Sequence, residues 1–234
     1  MSKEILLIIT MVLFFSVSAY SQFGVSARIQ NNTNKTWNNN YQSVADTSQT
    51  LFSSSYEFGV NYWFKLKEYR VEFLPELSYA VSETNPLFSA LNVASHTRQS
   101  FYFNFNVQVY PLDFIGDCDC PTFSKEGNTL TKGFYWLFSP GIAFHNLSTT
   151  MAEGVPAEIA DANITSLRIG GGAGVDVGIN NMLTVSPFLM YSLNIANNWP
   201  EQKTAYEISD TPNDNSASIN QWHFGLRLIF RPDY

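Results

Sequence analysis

QWHFGLRLIF, residues 221–230, places Trp222, Phe224, Leu226, Leu228 and Phe230 at every second position. Gln221, His223, Gly225, Arg227 and Ile229 fall between them. A side-chain period of two belongs to a β-strand, because successive Cβ atoms point to opposite faces. One face is large, apolar and partly aromatic, while the other carries a glutamine, a histidine and an arginine. Such a strand suits hydrocarbon on one side and a polar interior on the other.

The same alternation recurs upstream. Phe23, Val25, Ala27 and Ile29 alternate with Gly24, Ser26, Arg28 and Gln30. Tyr56, Phe58, Val60, Tyr62 and Phe64 oppose Ser55, Glu57, Gly59 and Asn61. Tyr69, Val71, Phe73, Leu77 and Tyr79 oppose Arg70, Glu72, Glu76 and Ser78. Phe101, Phe103, Phe105, Val107 and Val109 oppose Tyr102, Asn104, Asn106 and Gln108. A fifth strand sets Trp136, Phe138, Ile142 and Phe144 against Ser139, Gly141 and His145. A sixth sets Leu167, Ile169, Ala173, Val175, Val177 and Ile179 against Arg168, Gly170, Gly172, Gly174, Asp176 and Gly178. The Asn180-Asn181 pair is a hairpin signal. Beyond it Leu183, Val185, Leu189, Tyr191 and Leu193 oppose Thr184, Ser186 and Ser192.

Eight strands of roughly 9–14 residues result, long enough to cross a bilayer at a tilt. Long connections follow strands one, three, five and seven, and short ones follow two and six. That asymmetry belongs to outer-membrane barrels, with long loops outside and short turns in the periplasm. The expected fold is all-β, an eight-stranded antiparallel transmembrane up-and-down barrel, and residues 221–230 should pair with Phe23–Gln30 to close it. A soluble β-sandwich shares the alternation. The aromatic-heavy apolar face, the charged opposite face and the strand lengths favour the barrel. Pro75, Pro140 and Pro187 fall inside strands, where a missing N–H suggests local bulges.

The N-terminus reads as a cleavable secretory signal peptide over residues 1–21, leaving 22–234 as one barrel domain. Lys3 precedes an apolar run from Ile5 to Val17, and Ser18-Ala19-Tyr20-Ser21 supplies small residues for cleavage before Gln22. No later stretch approaches the ~20 apolar residues of a spanning helix. Charged residues make up 14% and aromatics 15% of the 234 residues. A soluble domain carries nearer to ~25% charge. The formal net charge of −7, with no basic cluster, argues against a nucleic-acid partner.

The residues opposite the apolar face include Arg28, Arg70, Arg168 and Arg227, against Glu57, Glu72, Glu76 and Asp176. The interior of an eight-stranded barrel is just wide enough for side chains to fill. Enclosed charges must pair or be hydrated, so a charge-balanced, plugged core is expected rather than a selective pore. Gly170, Gly172, Gly174 and Gly178 share that face. They are expected to make room for long Arg and Glu side chains from across the barrel.

Residues 113–132 interrupt the pattern of short turns and hold Asp117-Cys118-Asp119-Cys120-Pro121. Three readings of Cys118 and Cys120 stay open: a strained local turn or disulfide, a partner contact, and a metal site with nearby aspartates. No metal constellation or cofactor motif is recognisable, and no cofactor is expected. The histidines are His96, His145 and His223. Ser148 lies three residues from His145, which puts the two on opposite faces, so no catalytic residue is assigned.

The signal peptide, the eight strands and the closing strand resemble the small outer-membrane β-barrel proteins of the Bacteroidota, of OmpA/OmpX-like architecture, a broad group that includes PorT-like proteins. His223, Gly225, Leu228 and Phe230 are similar to the assembly signal of such barrels: polar residue, any, Gly, any two, hydrophobic, any, hydrophobic. The resemblance implies recognition by the barrel-assembly machinery and residence among outer-membrane lipid. The pattern departs at its end, where Arg231-Pro232-Asp233-Tyr234 follow. The expected function is non-enzymatic, structural or surface-binding through external loops. An accessory role in a secretion or gliding complex, with a periplasmic partner on residues 113–132, and a lipid-modifying enzyme are the alternatives.

Overall fold

A computed structural model describes residues 22–33, 54–66, 69–83, 93–114, 129–151, 162–180, 182–196 and 218–230. The proposed signal peptide, Cys118 and Cys120 lie outside the described residues, as does the side chain of His96.

The strands are β1 (Phe23–Thr33), β2 (Ser55–Tyr62), β3 (Phe64–Lys65), β4 (Val71–Glu83), β5 (Val93–Val109), β6 (Phe134–Met151), β7 (Ala162–Val175), β8 (Val177–Gly178), β9 (Leu183–Ile195) and β10 (Ser218–Phe230). A short helix, α1 (Thr129–Gly133), precedes β6. β3 continues β2 in the same register against β4, and β8 continues β7 against β9, so the ten segments form eight staves. Every pairing is antiparallel, each stave pairs with its chain neighbours, and β10 pairs with both β9 and β1. The sheet is therefore closed, with Gly24 opposite Ile229 and Arg28 opposite Gly225 at the seam. Closure removes the exposed edges that an open sheet would present. We call the end that carries Gln22 and Phe230 the terminal end.

The prolines do not produce bulges. The register runs unbroken past Pro75, Pro140 and Pro187, and among the described residues the one register shift lies between Val93 and Ser95. Each proline instead opens a gap in one flanking ladder. Pairing of β2–β3 with β4 lapses opposite Pro75 and Leu74. That of β5 with β6 lapses opposite Pro140 and Ser139, and that of β7–β8 with β9 opposite Pro187 and Ser186. The ladder on the other side of each proline is complete. A strand residue aims its N–H to one side only, and the side is set by strand direction and by the face its side chain occupies. All three prolines face outward on staves that run the same way, so each missing N–H falls toward the preceding stave.

Burial alternates along every stave. On β1 the residues from Gly24 to Asn32 at even positions are buried, while Phe23, Val25, Ala27 and Ile29 are exposed. β10 repeats this, with His223, Arg227 and Ile229 inside and Trp222, Phe224, Leu226, Leu228 and Phe230 outside. The strands extend further than the sequence pattern indicates. β5 begins at Val93 and β6 ends at Met151, inside stretches read as loops. Their outward residues there are polar, which hides them from an apolar-periodicity argument: Gln99, Asn146 and Ser148 are exposed.

Candidate functional site

The interior holds the chemistry. Arg28 and Glu57 are register partners on β1 and β2, and their side chains form a 2.6 Å ion pair. Arg28 also pairs with Glu76 of β4. Arg168 of β7 crosses the barrel to grip Glu57 with both terminal nitrogens, at 3.3 and 3.2 Å. Ser26 donates to Glu76 at 2.8 Å, and Gln30 and Ser78 donate to Glu57. The Arg168 guanidinium also lies over the Tyr102 ring at 4.2 Å and donates to His223 Nε2 at 3.1 Å. Since arginine cannot accept, Nε2 is the acceptor in that contact. Ser192 holds the same nitrogen at 2.8 Å. Arg227 completes the group, 4.0 Å from Glu76 and 5.1 Å above the Phe188 ring.

A second network closes the terminal end. The Tyr110 hydroxyl meets Asp176 at 2.6 Å, Glu72 at 3.0 Å and Gln108 at 3.3 Å. Ser186 donates to Asp176 at 2.6 Å and Trp63 Nε1 to Glu72 at 2.6 Å. Arg70 lies over the Tyr110 ring at 4.6 Å and pairs with Asp113. Its backbone N–H bonds Phe114 O at 2.9 Å, and its guanidinium bonds the carbonyl of Lys132. Arg70 therefore holds both roots of the segment between β5 and β6. Arg28, Arg70, Arg168, Arg227, Glu57, Glu72, Glu76 and Asp176 are all buried. Among the described residues Arg98 is also buried, and the half-buried Asp113 pairs with Arg70.

Toward the far end, Gln221 bridges Gln30 at 3.2 Å and Asn32 at 2.6 Å across the closing seam. His145 sits between two serines, with Nδ1 2.8 Å from Ser100 and Nε2 2.8 Å from Ser166. This Ser–His–Ser chain faces the interior, away from the lipid side. Among the described residues no group of His, Cys, Asp and Glu is arranged to hold a metal ion.

The plug is not purely polar. Tyr110, Tyr135, Leu137, Phe188 and Met190 form one buried cluster, and Trp63, Leu74 and Ile229 another. The glycine expectation is corrected accordingly. A Cβ on Gly174 would lie 2.3 Å from the Tyr135 hydroxyl, and one on Gly170 3.0 Å from Met190 Sδ. On Gly172 it would meet the β9 backbone, 2.1 Å from Leu189 O, and Gly178 is exposed. These glycines accommodate an aromatic ring, a methionine and a neighbouring strand, not Arg and Glu side chains. Gly225 does the same for Phe188, whose ring carbons lie 2.3–2.9 Å from where its Cβ would stand. Trp63, Tyr110, Tyr135 and Phe188 are absent from the sequence-based expectations, although strand parity is the signal that could have placed them inside. An aromatic residue suits either face of a membrane barrel, so composition gave no sign of them.

The outer wall is an apolar band with aromatic rims. Near the terminal end, Phe23 packs on Tyr62, Phe64 on Phe73 and Phe134 on Trp136, with centroids 5.8, 5.1 and 5.6 Å apart. Higher up, Tyr79 meets Phe101 at 4.8 Å and Tyr191 meets Trp222 at 5.0 Å. Above these the outward residues turn polar: Asn31, Gln99, Asn146, Asn163, Thr165 and Ser218. An apolar band between two aromatic girdles is the exterior of a bilayer-spanning barrel.

No family model and no curated protein matches the chain. Solved structures do. Neisserial surface protein A aligns over 90% of this chain and 96% of its own, at 7% identity and a TM-score of 0.46. A major outer-membrane protein from Thermus thermophilus aligns over 91% and 100%, at 10% identity and 0.46. The outer-membrane enzyme PagL aligns over 87% and 97%, at 13% identity and 0.36. At such identities and scores these likenesses assign no activity to this chain, and the fold rests on its own strand register.

Proposed function

We propose that this chain is a bacterial outer-membrane barrel with a sealed interior. It serves as a structural or surface-binding protein whose external loops meet the environment. The observation that carries this reading is the filling of the interior from end to end. Glu72, Arg70 and Asp176 near the terminal end, Glu57, Arg168 and Arg227 centrally, and Gln221 and Asn32 toward the far end are all buried. The apolar band calls for outer-membrane lipid around the barrel. In this reading the barrel-assembly machinery receives the strand that ends in His223, Gly225, Leu228 and Phe230. Folded protein in planar bilayers is expected to pass no steady current. A reproducible open-channel conductance from the wild type would sink the sealed-barrel reading.

A second reading has an observation of its own. Arg70 anchors both roots of the segment between β5 and β6, and Leu112, Phe114 and Leu130 are exposed beside them. A docking role for residues 113–132 in a periplasmic complex, of the kind a PorT-like protein would join, fits that anchoring. Cys118 and Cys120 would then be partner contacts. Replacing residues 115–128 with a short turn is expected to remove co-purifying proteins, and an unchanged set of partners would end this reading.

A further inference from the structure

The central network has three guanidinium groups and two carboxylates: Arg28, Arg168 and Arg227 around Glu57 and Glu76. The carboxylates are already engaged. Glu57 is taken by Arg28 and by both terminal nitrogens of Arg168, with Ser78 and Gln30 in addition. Glu76 receives Arg28, Ser26 and Asn104. Arg227 is left over. It is wholly buried, and its Nε, Nη1 and Nη2 hydrogen-bond no atom among the described residues. Its nearest carboxylate oxygen stands at 4.0 Å, beyond hydrogen-bond reach. Nε and Nη1 of Arg28 are likewise unbonded, and both guanidinium groups look onto the ring of Phe188, at 5.9 and 5.1 Å. Asn61, register partner of Glu76 on the adjacent stave, has an unbonded Nδ2.

A desolvated guanidinium without an acceptor is strongly unfavourable, and a local excess of one positive charge adds to the cost. We propose that the donors of Arg227 and Arg28 bind a small monovalent anion of the halide class inside the barrel. Arg is suited to this because its charge is permanent and its donors are fixed in a plane. The anion neutralises the third guanidinium. It is an internal structural ligand, independent of whatever the outer loops bind.

The test uses the intact folded barrel. Wild-type crystals soaked in bromide, with data collected at the bromine edge, should give an anomalous peak in contact with the Arg227 guanidinium. The peak should be absent from Arg227→Met. Density at that place with no anomalous signal identifies water and overturns the proposal, as does bromide confined to the surface. Should Arg227→Met not fold, the wild type still decides in solution. Exchanging a bulky organic anion for chloride at constant ionic strength should lower the unfolding constant about tenfold once chloride exceeds its Kd by about tenfold. An unfolding constant indifferent to chloride overturns the proposal.

Discussion

Glu57 carries the central network. Two arginines, a serine and a glutamine converge on its carboxylate, which has no exposure to solvent. Replacing Arg168 with Met removes the two-point grip and leaves part of a buried charge unanswered. Breaking a buried pair from one side typically costs about 3–5 kcal/mol. A loss of that order is expected in urea unfolding from lipid vesicles, and Glu57→Gln added to Arg168→Met should recover part of it. Gly225 raises a separate question, because it is both the glycine of the pattern that resembles an assembly signal and the place where the Phe188 ring sits. Gly225→Ala forces a Cβ into that ring, and overpacking of this kind costs about 1–3 kcal/mol. Adding Phe188→Leu should restore much of the stability and yield if the requirement is steric. Persistent failure of the double variant would mean that the assembly machinery itself reads the glycine. Gly171→Ala is the control, since a Cβ there meets nothing within 4 Å.

Along each stave the period of two made direction and face legible, which is why the interior charges were readable from residue order. What a single strand cannot convey is its partner across the barrel. That Gly174 receives Tyr135, or that Asp113 in a turn answers Arg70, depends on register between staves. The polar outward residues at the far ends of β5 and β6 likewise erased the apolar signal while the ladder continued. Proline shows the same limit. Its presence in a strand predicts a lost hydrogen bond, but only the face and direction of the strand decide which neighbour loses it. Pro140→Val restores an N–H directed at β5 and keeps an apolar side chain on the lipid side. A gain of about 1 kcal/mol in unfolding free energy is expected, with slower amide exchange at Phe105 and Asn106. A fall in stability would mean that the gap is held open by packing rather than by the missing donor.

At the level of the whole barrel, interior charge is sorted by height. The terminal end gathers Glu72, Asp176 and Asp113 about a single arginine, Arg70, while Arg28, Arg168 and Arg227 outnumber Glu57 and Glu76 in the middle. The two groups are bridged by the apolar cluster around Phe188 and Tyr135. The three proline gaps also share a plan. They separate β2–β3 from β4, β5 from β6, and β7–β8 from β9, while β4–β5, β6–β7 and β9–β10 stay fully laddered. The cylinder is thus scored lengthwise into two hairpins, β4–β5 and β6–β7–β8, and one four-stave piece in which β9, β10, β1 and β2 stay laddered. Under load the wall should part along those lines. A tip pulling on the C-terminus of the membrane-embedded protein is expected to extract β10 and β9 together, then β7–β8 with β6, then β5 with β4, in discrete force peaks. Single-stave steps would show that the scoring carries no mechanical weight.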